Sequence, residues 1–528
     1  MVTLRVGAFR RARLSLQLPA LPVLLGCLLL MAAPVPALAA ALSFEVSFTP
    51  AVRTTPFTGR IFVFTAPETG PEPRFGPDWF QPEPFYALEV TNLLPGKTVR
   101  LDSTALGFPT PPGEFPTQPT RFQAVLDQAP DTWQIGTAPG NGMSAVVLGK
   151  ASDLPVRLVI DQVIPERKFP ETEQVKLVEI PSPQLTRFYG HPMRMRAGVI
   201  LPEGYAQQPG KRFPVVYMIP GFGGSHFQSP AVQRGWPELT AANGLNALVV
   251  LLDPTAHTGH HVFADSANNG PVGTALVEEM VPYIDQSYRT LAQPGARLLT
   301  GHSSGGWSSL WLQCTYPKLF GGVWSTSPDP VDFRDFQQIN LYAPQANMFR
   351  DAEGKPRPLA RFGDRPALFC QAFTDMETVL GHGGQLQSFE AVFSPRAADG
   401  QPEPLYDRRT GAVNPTVAEA WRKYDICQLL RSNWDRQGAE LKGKLHVYTG
   451  EKDTFYLEGA VRLLKQELAQ LGSDAMVEIL PGKDHGTLLG QEMRARIAQE
   501  MAETVRRASA VTRGKSRSTA PLALRETR

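Results

Sequence analysis

Cysteine is scarce in this chain. Only four occur in 528 residues, and Cys314, Cys370 and Cys427 are the ones that follow residue 40. A cysteine framework is therefore excluded as the basis of the fold, although one bridge, Cys370 to Cys427, is compatible with an oxidising compartment. No CxxC pair or His-rich spacing argues for a structural zinc, and no metal or cofactor is expected. Past the first 40 residues no apolar run is long enough to cross a bilayer. An excess of positive charge is also missing from the body. The formal net charge of +2 comes from the ends, where Arg5, Arg10, Arg11 and Arg13 precede the body and seven basic residues lie from Arg506 to Arg528. Between them 41 basic residues face 49 acidic ones. A mildly acidic body argues against nucleic acid as the main partner.

The two ends read as processing and tail segments. The arginines above, an apolar stretch from Leu21 to Met31 and the small-x-small site Ala37-Leu38-Ala39 together predict an export signal over residues 1–40. The protein is thus expected in a periplasm or outside the cell. Leu24-Leu25-Gly26-Cys27 loosely resembles a lipoprotein processing site, but the leucines after Cys27 argue against an anchor there. The basic stretch 508–528 is expected to be a disordered tail.

Between these ends the length predicts two domains. From Leu42 to about Val163 apolar residues alternate with polar ones, as in Leu42, Phe44, Val46 and Phe48, or Val156, Leu158 and Ile160. Period two marks half-buried strands, and Pro/Gly clusters separate them, so residues 41–165 are expected to form an N-terminal β-sandwich. A proline-bearing linker follows over 166–190. From 191 to 507 the pattern changes. Short apolar strands such as Val215 to Ile219, Ala247 to Leu252, Arg297 to Thr300, Gly322 to Ser325, Leu445 to Tyr448 and Met476 to Leu480 alternate with amphipathic helices. That alternation predicts an α/β fold with a mostly parallel sheet and helices on both faces. The interval 329–442 breaks the rhythm and is expected to sit as a cap near the strand C-termini.

The chemistry-bearing residues fall on one rim of that sheet. Gly301-His302-Ser303-Ser304-Gly305 follows a predicted strand and opens a helix, the context in which G-x-S-x-G becomes a nucleophile elbow. Small neighbours at Gly301, Gly305 and Gly306 let so sharp a turn fit, and the helix N-terminus offers amides to an oxyanion. Ser303 is the expected nucleophile. Downstream, Asp453 and His485 each lie just past a strand end, in the order serine, acid, histidine that a hydrolase triad of this fold requires. Glu451, two residues earlier on the same loop, is the rival acid. The Gly-rich turn Pro220-Gly221-Phe222-Gly223-Gly224 can aim an amide at the same point, so the oxyanion hole is expected from the amides of Phe222 and Ser304. Asp253, His257, His260, His261 and Asp265 cluster after another strand. Their spacing matches no metal pattern, and His260, His261 and Asp265 are expected to line the substrate pocket. Trp307 and Trp311 are expected to pack the core.

These motifs resemble the esterase D and enterochelin-esterase-like branch of the α/β hydrolases. The resemblance rests on the Gly-rich turn at 220–224, Gly301 to Trp307, Gly450-Glu451-Lys452-Asp453 and Asp484-His485-Gly486, and it covers about Pro192 to Ala502. It implies an α/β-hydrolase fold and hydrolysis of a small-molecule or glycan-linked ester, with siderophore, feruloyl, acetyl and thioester substrates among its members. Some relatives transfer the acyl group instead. The chain departs from compact members in its long interval between Ser303 and Asp453 and in its front β domain. Two other readings stay open: a prolyl-oligopeptidase-like serine peptidase, and a non-catalytic glycan-binding protein on a hydrolase scaffold.

Overall fold

The computed structural model describes residues 41–116, 118–129 and 131–518. The expected export signal with Cys27, and the tail from residue 519, lie outside the described residues.

The alternating N-terminal segment forms strands, but in one sheet rather than two. Its hydrogen-bonded order is Thr98–Leu101, Phe44–Phe48, Val156–Val163, Gly142–Ser144, Thr120–Leu126, Phe57–Pro67, Phe85–Leu93 and Leu106–Phe108. Phe44 lies on the second strand of this path and Tyr86 on the seventh, yet their ring centroids are 5.6 Å apart, and Phe44 meets Phe122 at 5.2 Å. The sheet is therefore curled so that its inner face closes on itself, which alternation alone does not separate from a sandwich. Ile61 and Val63 point into that inner core. Their neighbours Phe62 and Phe64 belong to the same core as the second sheet, so both faces of the strand Phe57–Pro67 are covered.

The second sheet runs in the order Val175–Pro181, Arg194–Ile200, Leu248–Leu252, Val215–Ile219, Arg297–His302, Gly322–Thr326, Leu445–Gly450 and Met476–Leu480. The last six are parallel, and the first two join antiparallel. Side chains alternate between two cores. Tyr217, Leu299, Val323 and Val447 face one, while Val216, Leu298, Trp324 and Tyr448 face the other beneath the helix Gln491–Ser518. Burial on both faces is what continuous apolar strands require.

Two further expectations need correction, and one open point is settled. The linker 166–190 supplies the edge strand Val175–Pro181 and the helix Pro183–Tyr189, capped by Ser182 and Gly190; the single apolar positions of an edge strand read as a loop. Residues 508–518, expected as disordered, continue the last helix, because extending a formed helix avoids the cost of nucleation and the segment has no proline. Cys370 and Cys427 are not bridged: Cys314, Cys370 and Cys427 are all free and buried. Burial pushes the Cys370 thiol up to about 12, which leaves it inert in its apolar surroundings.

The interval 329–442 holds a hairpin, Pro358–Phe362 with Arg365–Phe369, and the helices Cys370–Leu380, Gln385–Phe393, Pro415–Trp421 and Ile426–Leu441. Aromatic contacts tie it to the helix Ser304–Thr315. Phe393 meets Trp307 at 5.2 Å and Trp421 at 5.1 Å. Trp307 also stacks on Trp311 at 5.2 Å, in the packing role expected for both. On its other side the interval meets the N-terminal sheet, where Arg60 donates to the carbonyls of Thr378 and Val379 at 3.0 and 2.7 Å. Among the described residues no helix is long and apolar enough to cross a membrane.

Candidate active site

Ser303 stands at the junction of the strand Arg297–His302 and the helix Ser304–Thr315, with φ 60° and ψ −126°. A non-glycine residue holds such a conformation only where its surroundings enforce it. Here the Ser303 amide donates to the Thr326 carbonyl at 3.0 Å and its carbonyl accepts from Trp307 at 3.0 Å. The close approach that makes the turn possible depends on two glycines. A Cβ on Gly301 would run into the Gly305 carbonyl, and one on Gly305 into the carbonyl of Ile219.

His485 follows the last strand, and its Nδ1 donates to the Asp453 carboxylate at 2.9 Å. Asp453 is fully buried. Burial alone would raise its pKa, but the hydrogen bond and charge of His485 and the Phe455 amide outweigh it and hold the carboxylate below its usual range. The neighbouring Glu451 is exposed and accepts from the Gly482 amide at 3.1 Å, so it braces the loop and does not face the imidazole. The His302 ring lies 4.4 Å from that of His485, and burial followed by the charge of His485 pulls its pKa down to about 3. It is a neutral neighbour.

Ser303 and His485 line one cavity of about 280 Å³, together with Gly221, Phe222, His302, Asp329, Gln337, Gln385, Phe389, Phe455 and Trp79. Phe222, from the Gly-rich turn, is wedged between Trp79 at 5.6 Å and Trp133 at 4.7 Å, both from the N-terminal sheet region. The residues missed by sequence reasoning are those contributed from afar. Trp79 comes from the front domain, and Gln337, Gln385 and Phe389 come from the inserted interval. Asp329 did carry a signal: like Asp453, it follows a central strand, in Ser327-Pro328-Asp329-Pro330.

Asp329 is 5% exposed. Its carboxylate accepts from Ser304 Oγ at 2.5 Å, weakly from Gln385 Nε2 at 3.4 Å and from Ser303 Oγ at 3.5 Å. Burial raises its pKa to about 6, against the lowering effect of the Ser304 hydrogen bond and of His485.

His260, His261 and Asp265, expected as pocket lining, are not among the lining residues of this cavity. His260 sits behind it, with Nε2 on the Pro220 carbonyl at 3.0 Å and Nδ1 accepting from Val262 at 3.1 Å. His261 accepts from the Phe263 amide at 3.2 Å. Burial drives their pKa values down to about 4 and 3, so both are neutral props of the Gly-rich turn region. Asp265 accepts from the amides of Gly273 and Thr274 at 2.7 and 2.9 Å, the work of a helix cap. Asp253 pairs with His226 at 3.0 Å, and His257 stacks on His382 at 4.0 Å. Among the described residues no group of three or more His, Cys, Asp or Glu side chains is placed to hold a metal ion.

With this geometry in view, a family model described as "Putative esterase" matches residues 191–517. An esterase of Mycobacterium tuberculosis (strain CDC 1551 / Oshkosh) is 26% identical over 158 residues, which is 30% of this chain and 34% of the relative. The chain thus spans about a third of the length of the curated relatives it matches. An S-formylglutathione hydrolase from Agrobacterium tumefaciens aligns over 63% of this chain and 95% of its own, at 14% identity and TM-score 0.38. A ferulic acid esterase from Anaeromyces mucronatus aligns over 64% and 93%, at 16% identity and TM-score 0.32. Because the family match takes in more than half of the chain and contains the elbow at Ser303 and the loops of Asp453 and His485, the chain belongs to this esterase family.

Proposed function

We propose that ester hydrolysis here runs through an acyl-enzyme on Ser303, with His485 as general base and Asp453 as its partner. The observation that carries this reading is the shared cavity: a serine held at a strained strand-to-helix turn faces the same 280 Å³ space as an imidazole fixed by a buried carboxylate. An ionised carboxylate can only accept, so the Nδ1 proton of His485 is committed to Asp453 and Nε2 is left free to take a proton. For attack, the Ser303 hydroxyl turns from Asp329 toward Nε2, Oγ bonds to the acyl carbon, and the proton passes to His485. The amides of Phe222 and Ser304 stabilise the oxyanion. His485 then protonates the departing alcohol, and water repeats the sequence to release the acid.

The front domain shapes the substrate site in this reading, since Trp79 forms one wall of the cavity and braces Phe222. Export follows from the N-terminal pattern of residues 1–40 and is part of the same proposal.

A fluorophosphonate probe tests the central step. It is expected to label Ser303 in the wild-type protein and to leave Ser303→Ala unlabelled. A folded wild-type preparation that takes up no probe would sink the reading.

A further inference from the structure

Among the described residues the buried carboxylates are each accounted for by charge or by backbone amides, with one exception. Asp332 pairs with Arg334, Glu390 with Arg408, Glu467 with Arg431 and Asp453 with His485. Glu377 accepts from the amides of Leu386 and Gln387, and Asp425 from those of Phe333 and Gln428. Asp329 has neither. Its hydrogen bonds come from two hydroxyls and one distant side-chain amide, all neutral. Yet it too is buried, and it stands in the wall of the catalytic cavity. A carboxylate in that position loses its hydration and has only the more distant charge of His485, not an ion pair, in return.

The cavity explains what could supply the missing charge. No lysine or arginine is among its lining residues; of its two imidazoles, His302 is kept neutral by burial and His485 is already held by Asp453. The rest of the wall is aromatic, from Trp79, Phe222, Phe389 and Phe455. Ring faces attract a cation and do nothing for an anion. A carboxylate among aromatic rings, with its own cation absent, is a site built for a positively charged nitrogen. The Asp329 oxygen lies 3.5 Å from the attacking oxygen of Ser303, so that nitrogen would sit close to the reacting carbonyl.

We propose that Asp329 is a specificity-determining residue that selects esters carrying a cationic nitrogen within a few bonds of the carbonyl, an inference that rests on Ser303 being the nucleophile. The nitrogen can belong to the acyl part, as in an aminoacyl ester, or to the alcohol part, as in a choline ester. The chemistry recognised is the same in both: an ion pair with Asp329 and contact with the ring faces. Two unit charges about 4 Å apart at a surface-like effective dielectric attract strongly, and after the cation has left water a preference of about tenfold or more should survive.

Matched pairs of esters test this on the full mature chain at about pH 7. Alanine ethyl ester against ethyl isobutyrate places or removes the charge on the acyl side, and acetylcholine against 3,3-dimethylbutyl acetate does so on the alcohol side. Each rate is normalised to hydroxide-catalysed hydrolysis. Wild type is expected to favour the cationic member of one pair by about tenfold or more in kcat/KM, and the pair that responds identifies the side. In Asp329→Asn, which keeps an acceptor for the Ser304 hydroxyl, that ratio should fall about tenfold. Both esters are measured on the same variant, so any loss common to the two cancels and the ratio reads the charge-dependent part alone.

Equal rates within both pairs in wild type, or a ratio untouched in Asp329→Asn, would overturn the proposal. Tetramethylammonium gives a second readout that needs no variant. It should slow fluorophosphonate labelling of wild-type Ser303 where tert-butanol does not, and absence of protection would again overturn the assignment. Labelled Ser303 with no charge preference defeats this proposal alone. A wild-type protein that neither labels nor hydrolyses any ester defeats the nucleophile assignment and this inference with it.

Discussion

Asp453 and Glu451 stand two residues apart on one loop, and only their surroundings separate the partner of the imidazole from a bystander. Sequence spacing could not choose between them, because both carboxylates follow the same strand end. Burial chooses: Asp453 is enclosed and bonded to His485, whereas Glu451 is exposed and ties the Gly482 amide. Asp453→Asn is therefore expected to lower kcat by about three to four orders of magnitude by spoiling the tautomer of His485. Glu451→Gln should stay within about threefold, with both read by ester hydrolysis at saturating substrate. Asp329 makes a different prediction, in stability. Its pKa is raised from 3.8 to about 6, so the folded state holds the proton more tightly than the unfolded chain. The protein thus loses stability as pH climbs from about 4 to 6, and above that range the ionised group costs about 2–3 kcal/mol. Asp329→Asn should raise Tm at pH 7 and leave it nearly unchanged at pH 4. Equal thermal shifts at both pH values would contradict this.

At the scale of elements, the turn around Ser303 is the place where sequence and structure agree for a reason that can be named. The pentapeptide supplies small residues where backbone meets backbone, and the strand and helix on either side follow from apolar runs and periodicity. Gly305→Ala puts a methyl group against the carbonyl oxygen of Ile219, a backbone atom of a central strand that cannot swing aside. Expected are a loss of fluorophosphonate labelling of at least about a hundredfold and a lower Tm. Elements with weaker local signals were read less well. The edge strand Val175–Pro181 has solvent on one side and alternates only loosely, so its prolines and charges looked like a linker. The histidine-rich stretch after Leu252 carried chemistry-bearing residue types without a chemical task. His260 and Asp265 satisfy backbone groups there, and residue type alone does not distinguish a prop from a ligand.

At the scale of the whole molecule, the sequence separates into a β region and an α/β region, and the boundary hides how far the two depend on each other. The pattern of one strand reports that both of its faces are apolar, but not what lies against them. Phe62, Phe64, Phe85 and Val125 of the curled sheet lie in the same core as the strands that carry Ser303, and Trp79 completes the cavity wall. Burying four such side chains is worth roughly 1.5–3 kcal/mol each, a sum comparable to the net stability of a typical domain. The catalytic part is thus not expected to stand alone. A chain beginning at residue 166 should be insoluble or fail to label with fluorophosphonate, although every proposed triad residue is present. Trp79→Ala, by contrast, removes one wall of the cavity from a protein whose shared core is intact, and should raise KM with little change in Tm. A soluble, fully active chain from residue 166 would show that the front sheet rests on the hydrolase without supporting it, and would reduce Trp79 to a neighbour of the site.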